Sequence, residues 1–357
     1  MINLIQDPPQ DPPKDATPWD GVPAPDIDAW GQLPVQAGNF DHVDGLFYFT
    51  YAVCIVFFVI ITGVLLYSCV AHRRKTWDQK PLSNVTHNTP LEVVWTVIPL
   101  IIVMIMFAWG FKGSLDMTTV PQAAKQNTYK ATAKQWNWTF TYPNGTRGYN
   151  EVYIEIGKPV QFMLESTDVL HAFYVPSMRV KRDIVPGRYQ SVWFEPTKLG
   201  TYHLFCAEYC GDDHSRMYAK VHVVDEATME KEPWNIVPEA DAPVAERIAY
   251  GKELAGQLCA SCHKISPTQG MDNGPSWVGM FTKVDGKLVG RQREVIEGGE
   301  TKTITTDDAY ITESIRKPTQ KIVAEEPYRG RNMSNFETLD DARIACLIDY
   351  MKSLADN

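Results

Sequence analysis

The sequence predicts a multidomain membrane protein: a two-helix transmembrane hairpin, then a β-sandwich, then a small α-helical domain. Three observations carry this. Two uncharged runs, Leu46–Val70 and Val93–Phe111, are 25 and 19 residues long, and a bilayer-spanning helix needs about 20 apolar residues. Short alternating segments with Gly and Pro between them fill 129–225, the pattern of a sandwich. Beyond 245 the apolar residues return at helical spacing.

Residues 1–45 repeat Asp-Pro-Pro and carry eight Asp against one Lys, so −7 of the chain's net −9 lies there. Such a segment buries too little apolar surface to fold alone, and an extended extracytoplasmic tail is expected. No basic start followed by an apolar core precedes it, so no cleaved leader is expected. An acidic chain without a basic stripe excludes nucleic acid as a partner.

The hairpin is expected over 46–111. Pro99 interrupts the second run, which membrane helices tolerate. A buried core helix is the competing reading of each run, but the loop between them favours the hairpin. It holds Arg73, Arg74, Lys75 and Lys80 against Asp78, which marks it as cytoplasmic and puts both termini outside.

Over 112–226 the expected strands are Lys134–Tyr142, Val152–Ile156, Pro159–Ser166, Tyr189–Glu195, Gly200–Phe205 and Tyr218–Val224, separated by turns such as Pro143-Asn144-Gly145. A Pro- and acid-rich linker occupies 227–245. The last domain, 246–357, has helical periodicity at Ala245–Leu258, Thr306–Arg316 and Leu339–Leu354.

Two clusters carry chemistry. Cys206-Ala-Glu-Tyr-Cys-Gly-Asp-Asp-His-Ser-Arg-Met217 offers two thiolates, an imidazole and a thioether. Soft sulfur with imidazole selects copper, zinc or iron, and the thioether points towards copper. A disulfide between Cys206 and Cys210, or a structural zinc, are the alternatives. Cys259-Ala-Ser-Cys262-His263 is the C-x-x-C-H signature of covalent haem c attachment, with His263 as proximal ligand. A redox dithiol or half a zinc site competes less well beside that histidine.

The C-terminal domain resembles class I cytochrome c, an all-α family. Gly274-Pro275 matches the family's Gly-Pro that orients the proximal histidine. Met333, followed by Phe336, matches the distal ligand, although Ser334 stands where the family usually has Pro. The hairpin, sandwich and Cys206 loop together resemble subunit II of haem–copper cytochrome c oxidase, whose copper domain is cupredoxin-like. Its dinuclear copper A loop, C-x-E-x-C-x-x-x-H-x-x-M, is met by Cys206, Glu208, Cys210, His214 and Met217, and its distant histidine by His171.

The resemblance implies bridging thiolates, with the Glu208 carbonyl and Met217 as weak ligands. It implies a magnesium ion at the interface with subunit I, held by the Glu208 side chain near Asp183. It makes Trp136 the residue where electrons enter, against the plain reading of a packed core tryptophan. It makes Glu92 an acid at the mouth of a proton path, against that of a solvated boundary carboxylate.

The fused haem domain is similar to that of caa-type oxidases in the bacterial inner membrane. The implied path runs from haem c to copper A and then to haem a of subunit I, where haem a3 and copper B reduce O2 to water and protons are moved outward. Subunit III is implied as a further partner, with soluble cytochrome c or a quinol-oxidising complex as donor. A copper A nitric oxide reductase subunit, or a tethered shuttle without an oxidase, are the other readings.

Overall fold

A computed structural model of the chain describes residues 33–356, except 81–82, 84, 261, 271–272, 326–327, 329–332, 334–335 and 337–338. Most of the acidic tail, residues 1–32, lies outside the described residues.

The two apolar runs form α1 (Asp41–Ala71) and α2 (Thr89–Thr118). Each is longer than the uncharged stretch that announced it. Asp41 and Asp44 occupy the first turn of α1, where the helix dipole favours acids, so the helix begins inside the segment expected to be tail. Asn88 caps α2 by accepting from the Leu91 N–H at 3.3 Å. The Asn88 N–H donates to Glu92 Oε1 at 3.1 Å. Both helices expose nearly all their apolar side chains, as a membrane requires.

Buried side chains and hydrogen bonds tie α1 to the sandwich. Ala37 and Phe40 are buried in the sandwich core. The buried Arg179 donates to both Asp44 oxygens at 2.6 and 2.9 Å, and to the Pro34 and Pro176 carbonyls at 2.6 Å each.

A short α3 (Gln122–Gln126) leads into ten strands: β1 (Thr128–Lys134), β2 (Asn137–Thr141), β3 (Arg147–Tyr149), β4 (Glu151–Glu155), β5 (Val160–Ser166), β6 (His171–Val175), β7 (Val180–Ile184), β8 (Gln190–Phe194), β9 (Gly200–Cys206) and β10 (Tyr218–Val224). They make two five-stranded sheets, β3-β2-β1-β5-β8 and β4-β10-β9-β6-β7. Trp138, Phe140, Phe162, Phe173 and Phe194 fill the space between them, each contributing roughly 1.5–3 kcal/mol of burial.

The strand expected at Lys134–Tyr142 is in fact two. Lys134 pairs with Asn137, so Gln135 and Trp136 form a two-residue hairpin turn. The expected linker is also not slack. After α4 (Glu226–Met229), Trp234 stacks on Tyr142 at 3.9 Å between ring centroids and donates to Thr146 Oγ1 at 2.9 Å.

The C-terminal domain has the three expected helices, α5 (Val244–Leu258), α6 (Asp308–Arg316) and α7 (Asp341–Ser353). It is not purely helical. Small strands β11 (Lys264–Ser266), β12 (Gln269–Gly270), β13 (Phe281–Val284), β14 (Lys287–Gly290), β15 (Gln292–Glu297), β16 (Glu300–Thr305) and β17 (Ile322–Val323) lie between the helices, and β15 is the centre of a three-stranded sheet. Most residues of β13, β14 and β16 are exposed, so these strands carry little of the burial alternation by which a strand is read in sequence.

Candidate metal and haem sites

The Cys206 loop closes one end of the sandwich. β6 and β9 run antiparallel with Phe173 opposite Cys206, which brings His171, at the start of β6, beside Cys206, at the end of β9. Loop 207–217 then returns to β10. Cys206 Sγ lies 3.8 Å from Cys210 Sγ and 3.7 Å from His171 Nδ1. Cys210 Sγ lies 3.4 Å from His214 Nδ1 and 3.7 Å from Met217 Sδ. The Glu208 carbonyl oxygen is 3.2 Å from Cys206 Sγ.

The two sulfurs stand 3.8 Å apart, not at the ~2.05 Å of a disulfide, and both cysteines are free. Two thiols, two imidazole nitrogens, a thioether and a carbonyl exceed the four positions of a tetrahedral zinc site. The donors fit a pair of soft ions held between two sulfurs. Among the described residues, His171, Cys206 and Cys210 are the group whose ligand atoms all lie within 4.8 Å of one another.

Electrostatics point the same way. Burial pushes the Cys206 thiol up, but His171 and the backbone at Glu208 and Ala172 together outweigh it and the net shift is down. Burial and the neighbouring Cys206 both push the Cys210 thiol up. Two sulfurs this close do not both ionise without a cation between them.

A ring of hydrogen bonds holds the ligands. Asp168 Oδ1 takes His171 Nε2 at 2.8 Å, which turns Nδ1 towards the sulfurs. Asp168 Oδ2 accepts from the Gln135 N–H at 2.7 Å. The Cys210 carbonyl accepts from Gln135 Nε2 at 2.7 Å and from Trp136 Nε1 at 3.2 Å. Gly211 has φ +115°, and a Cβ there would stand 3.0 Å from both Gln135 Nε2 and Trp136 Cζ2, so the two donors reach that carbonyl only past a glycine. Asp168 and Gln135 belong to this ring of hydrogen bonds, and sequence reading missed them. The signal was the Asp-x-x-His spacing.

The second site is a cavity of about 580 Å³ in the C-terminal domain, lined by Cys259, Cys262, His263, Pro275, Met333 and Phe336 among others. His263 Nδ1 is 2.8 Å from the Pro275 carbonyl. A carbonyl only accepts, so Nδ1 carries the proton and Nε2 presents its lone pair. Burial lowers the pKa of the ring, keeping it in the neutral, ligating form. A Cβ on Gly274 would stand 2.8 Å from His263 Cε1, so this glycine lets the backbone lie against the ring. The residues fit a covalently held haem.

The cavity does not belong to one domain. Gln135, Trp136, Asn137 and Asp212 form part of its wall. Trp136 thus touches both sites, and it is half-buried and packed against the edge of the sandwich core. Other contacts hold the domains together. Asn150 Nδ2 donates to the Gln257 carbonyl, Arg343 reaches the Trp234 carbonyl at 3.5 Å, and Tyr149 packs into the helical core.

Glu92 sits at the opposite end of α2 in its capping bond to Asn88. Asp183 pairs with Lys181 at 2.7 Å. Among the described residues, Glu208 and Asp183 join no further group of three metal-binding side chains.

Comparison with known proteins places the chain. Residues 146–224 match the cytochrome c oxidase subunit II periplasmic domain, 30–112 its transmembrane domain, and 248–355 cytochrome c. Cytochrome c oxidase subunit 2 of Synechocystis sp. is 30% identical over 233 residues, covering 52% of this chain and 70% of that protein. The chain belongs to the cytochrome c oxidase subunit II family. The subunit 2 of Alkalihalophilus pseudofirmus is 29% identical over 302 residues, 83% of this chain and 82% of that one. The crystal structure of the periplasmic domain of subunit II from Bradyrhizobium japonicum is 31% identical, with a TM-score of 0.30, and covers 32% of this chain and 94% of that one. A subunit II with a cytochrome c domain fused behind it, the caa-type arrangement, fits all three matched regions.

Proposed function

We propose that the chain is the electron-accepting subunit of a respiratory terminal oxidase. It passes electrons from haem c to a dinuclear copper A centre and on to haem a of subunit I. There O2 is reduced to water and protons are translocated. The reading rests most on one observation: Trp136 lines the haem cavity and donates to the carbonyl of Cys210 at 3.2 Å.

Haem c and the copper pair, when bound, supply the one-electron chemistry. The polypeptide supplies the rest. Cys259 and Cys262 would tether the haem, and His263 and Met333 would hold its iron, with Pro275 fixing the His263 ring. His171, His214, both loop cysteines, Met217 and the Glu208 carbonyl would hold copper. Asp168 and Gln135 keep the ligands in place, so little has to move when the charge changes. Trp136 shortens the gap between the two sites.

The finer assignments follow from the same reading. The chain spans a bacterial inner membrane twice, with both termini on the periplasmic side. Its partners are subunit I, bearing haem a, haem a3 and copper B, and subunit III. The donor is soluble cytochrome c or a quinol-oxidising complex. The Glu208 carboxylate takes part in a magnesium site completed by subunit I, and Glu92 serves proton uptake.

The test is the purified complex. We expect one covalent haem c and two coppers on this chain, with the electron spin shared equally between two copper nuclei. A single-copper hyperfine pattern, or zinc in the metal analysis, overturns the copper assignment. Nitric oxide consumption without oxygen uptake would assign the complex to a reductase instead.

A further inference from the structure

Building on the reading in which electrons pass from haem c to copper A, we propose that Asn150 is a positioning residue for that transfer. Its carboxamide joins the strand behind Trp136 to the helix end ahead of Cys259, and so sets the gap between the two sites.

Asn150 is the one residue between β3 and β4, where the chain crosses from one sheet of the sandwich to the other. Its φ is +52°, a left-handed conformation that asparagine adopts more readily than most residues. Three of its polar groups are satisfied inside the sandwich. Its N–H donates to the Trp138 carbonyl and its carbonyl accepts from the Lys220 N–H, each at 2.9 Å. Its Oδ1 accepts from the Trp138 N–H at 2.7 Å. The fourth group, Nδ2, leaves the sandwich and donates to the Gln257 carbonyl. That carbonyl lies in the last turn of α5, where helix carbonyls lack an intrahelical donor. An N–H on one side and a carbonyl on the other fix which way the amide faces.

This bond is more than a domain contact because of where it falls. Trp138 is two residues after Trp136, and Gln257 is two residues before Cys259. One amide therefore ties the turn that carries Trp136 to the helix that carries Cys259. The residues flanking Asn150 reinforce the tie. Tyr149 packs in the helical core, and Glu151 Oε1 accepts from Gln257 Nε2 at 3.4 Å. Electron transfer slows steeply as the gap widens, so a hold at this point acts on the rate without touching a ligand of either site.

The experiment uses the full chain loaded with haem and copper. Asn150→Gly keeps the backbone conformation and loses both side-chain bonds. Asn150→Asp keeps the acceptor for Trp138 and loses the donor to Gln257. Gln257→Ala is the control, since it removes the bond to Glu151 and leaves the carbonyl that Asn150 holds. Flash photoreduction gives the haem-to-copper rate, and pulsed electron paramagnetic resonance gives the haem–copper distance. The spectrum and midpoint potential of each site are recorded alongside. Both Asn150 variants should slow the transfer by about 2–10-fold, the weight of one lost hydrogen bond, and lengthen or broaden the distance. Both spectra should stay unchanged and, in Asn150→Gly, both potentials. Gln257→Ala should change none of these.

Wild-type rate and distance in Asn150→Gly overturn the proposal, and slowing in Asn150→Asp alone would then mark the added charge. Slowing with an altered copper spectrum also overturns it, because Asn150 would then act on the copper frame through Trp138. So does equal slowing in Gln257→Ala, which would put the hold on Glu151. If Asn150→Gly fails to accumulate, the distance in Asn150→Asp decides: a wider one supports the proposal and an unchanged one overturns it. No transfer from haem to copper in the unsubstituted chain would sink the electron-path reading itself, a separate result.

Discussion

The two sites solve the same problem in opposite ways. The proposed copper site gathers its donors on a fixed frame. Its sulfurs and ring nitrogens already lie within 3.4–3.8 Å of their neighbours, pinned by strand ends and by Asp168, Gln135 and Trp136. The haem site is a hole of about 580 Å³ whose walls come from two domains. The first is a frame into which a small cofactor drops, and the second is a core that its cofactor completes.

The largest expected effect is therefore loss of the haem. At ~24 cal/mol per Å³, a dry cavity of about 580 Å³ would cost on the order of 14 kcal/mol, an upper bound because water enters. That is comparable with a domain's whole stability, roughly 5–15 kcal/mol. The double change Cys259→Ala with Cys262→Ala should abolish covalent haem and strip hydrogen-exchange protection from α5, α6 and α7, while the sandwich keeps its copper signal. A haem-free C-terminal domain with full protection would break the comparison.

Cys206→Ser makes the reverse case. The dinuclear copper signal should vanish, yet the melting temperature of the sandwich should fall only slightly, because the five large core aromatics lie between the sheets and not in the loop. Unfolding of the sandwich in this variant would mean that the frame depends on its metal after all.

Asp168→Asn acts on the frame alone. The amide keeps one acceptor for two N–H groups and His171 Nε2, so His171 loses part of its hold. Copper affinity should fall by about 10–100-fold, and the spin should be shared unevenly between the coppers. Unchanged affinity and spectrum would show that the strand ends suffice.

The same contrast explains what the sequence revealed. The copper loop and the Cys259–His263 motif were legible because their ligands are contiguous. α1 and α2 were legible because a bilayer imposes unbroken apolarity. Several strands were not. β1 buries Tyr129, Ala131 and Ala133, and two of the three are too small to mark an apolar face. β6 is buried at four of five positions and β7 has three exposed charged residues in a row, so neither alternates cleanly. Above all, no local pattern records that Gln135 and Trp136 reach across to the haem cavity, since that contact is between domains.

The smallest effect probes that contact directly. Lys134, next to Gln135, places its Nζ 4.4 Å from the centre of the Phe336 ring. Phe336 also lines the haem cavity. Burial lowers the Lys134 pKa, with Asp168 opposing, so the charge is partly desolvated where it meets the ring. A cation–π pair in such a place contributes about 0.5–1 kcal/mol. Lys134→Ala should leave both cofactors bound and their spectra unchanged. It should loosen the domain contact enough to raise hydrogen exchange at the Gln135–Trp136 turn by about 2–5-fold. Electron transfer from haem to copper, followed by flash photoreduction, should slow in proportion to the fraction of chains with the turn open. A rate unchanged while exchange rises would mean that the haem reaches copper by a path that does not need this wall.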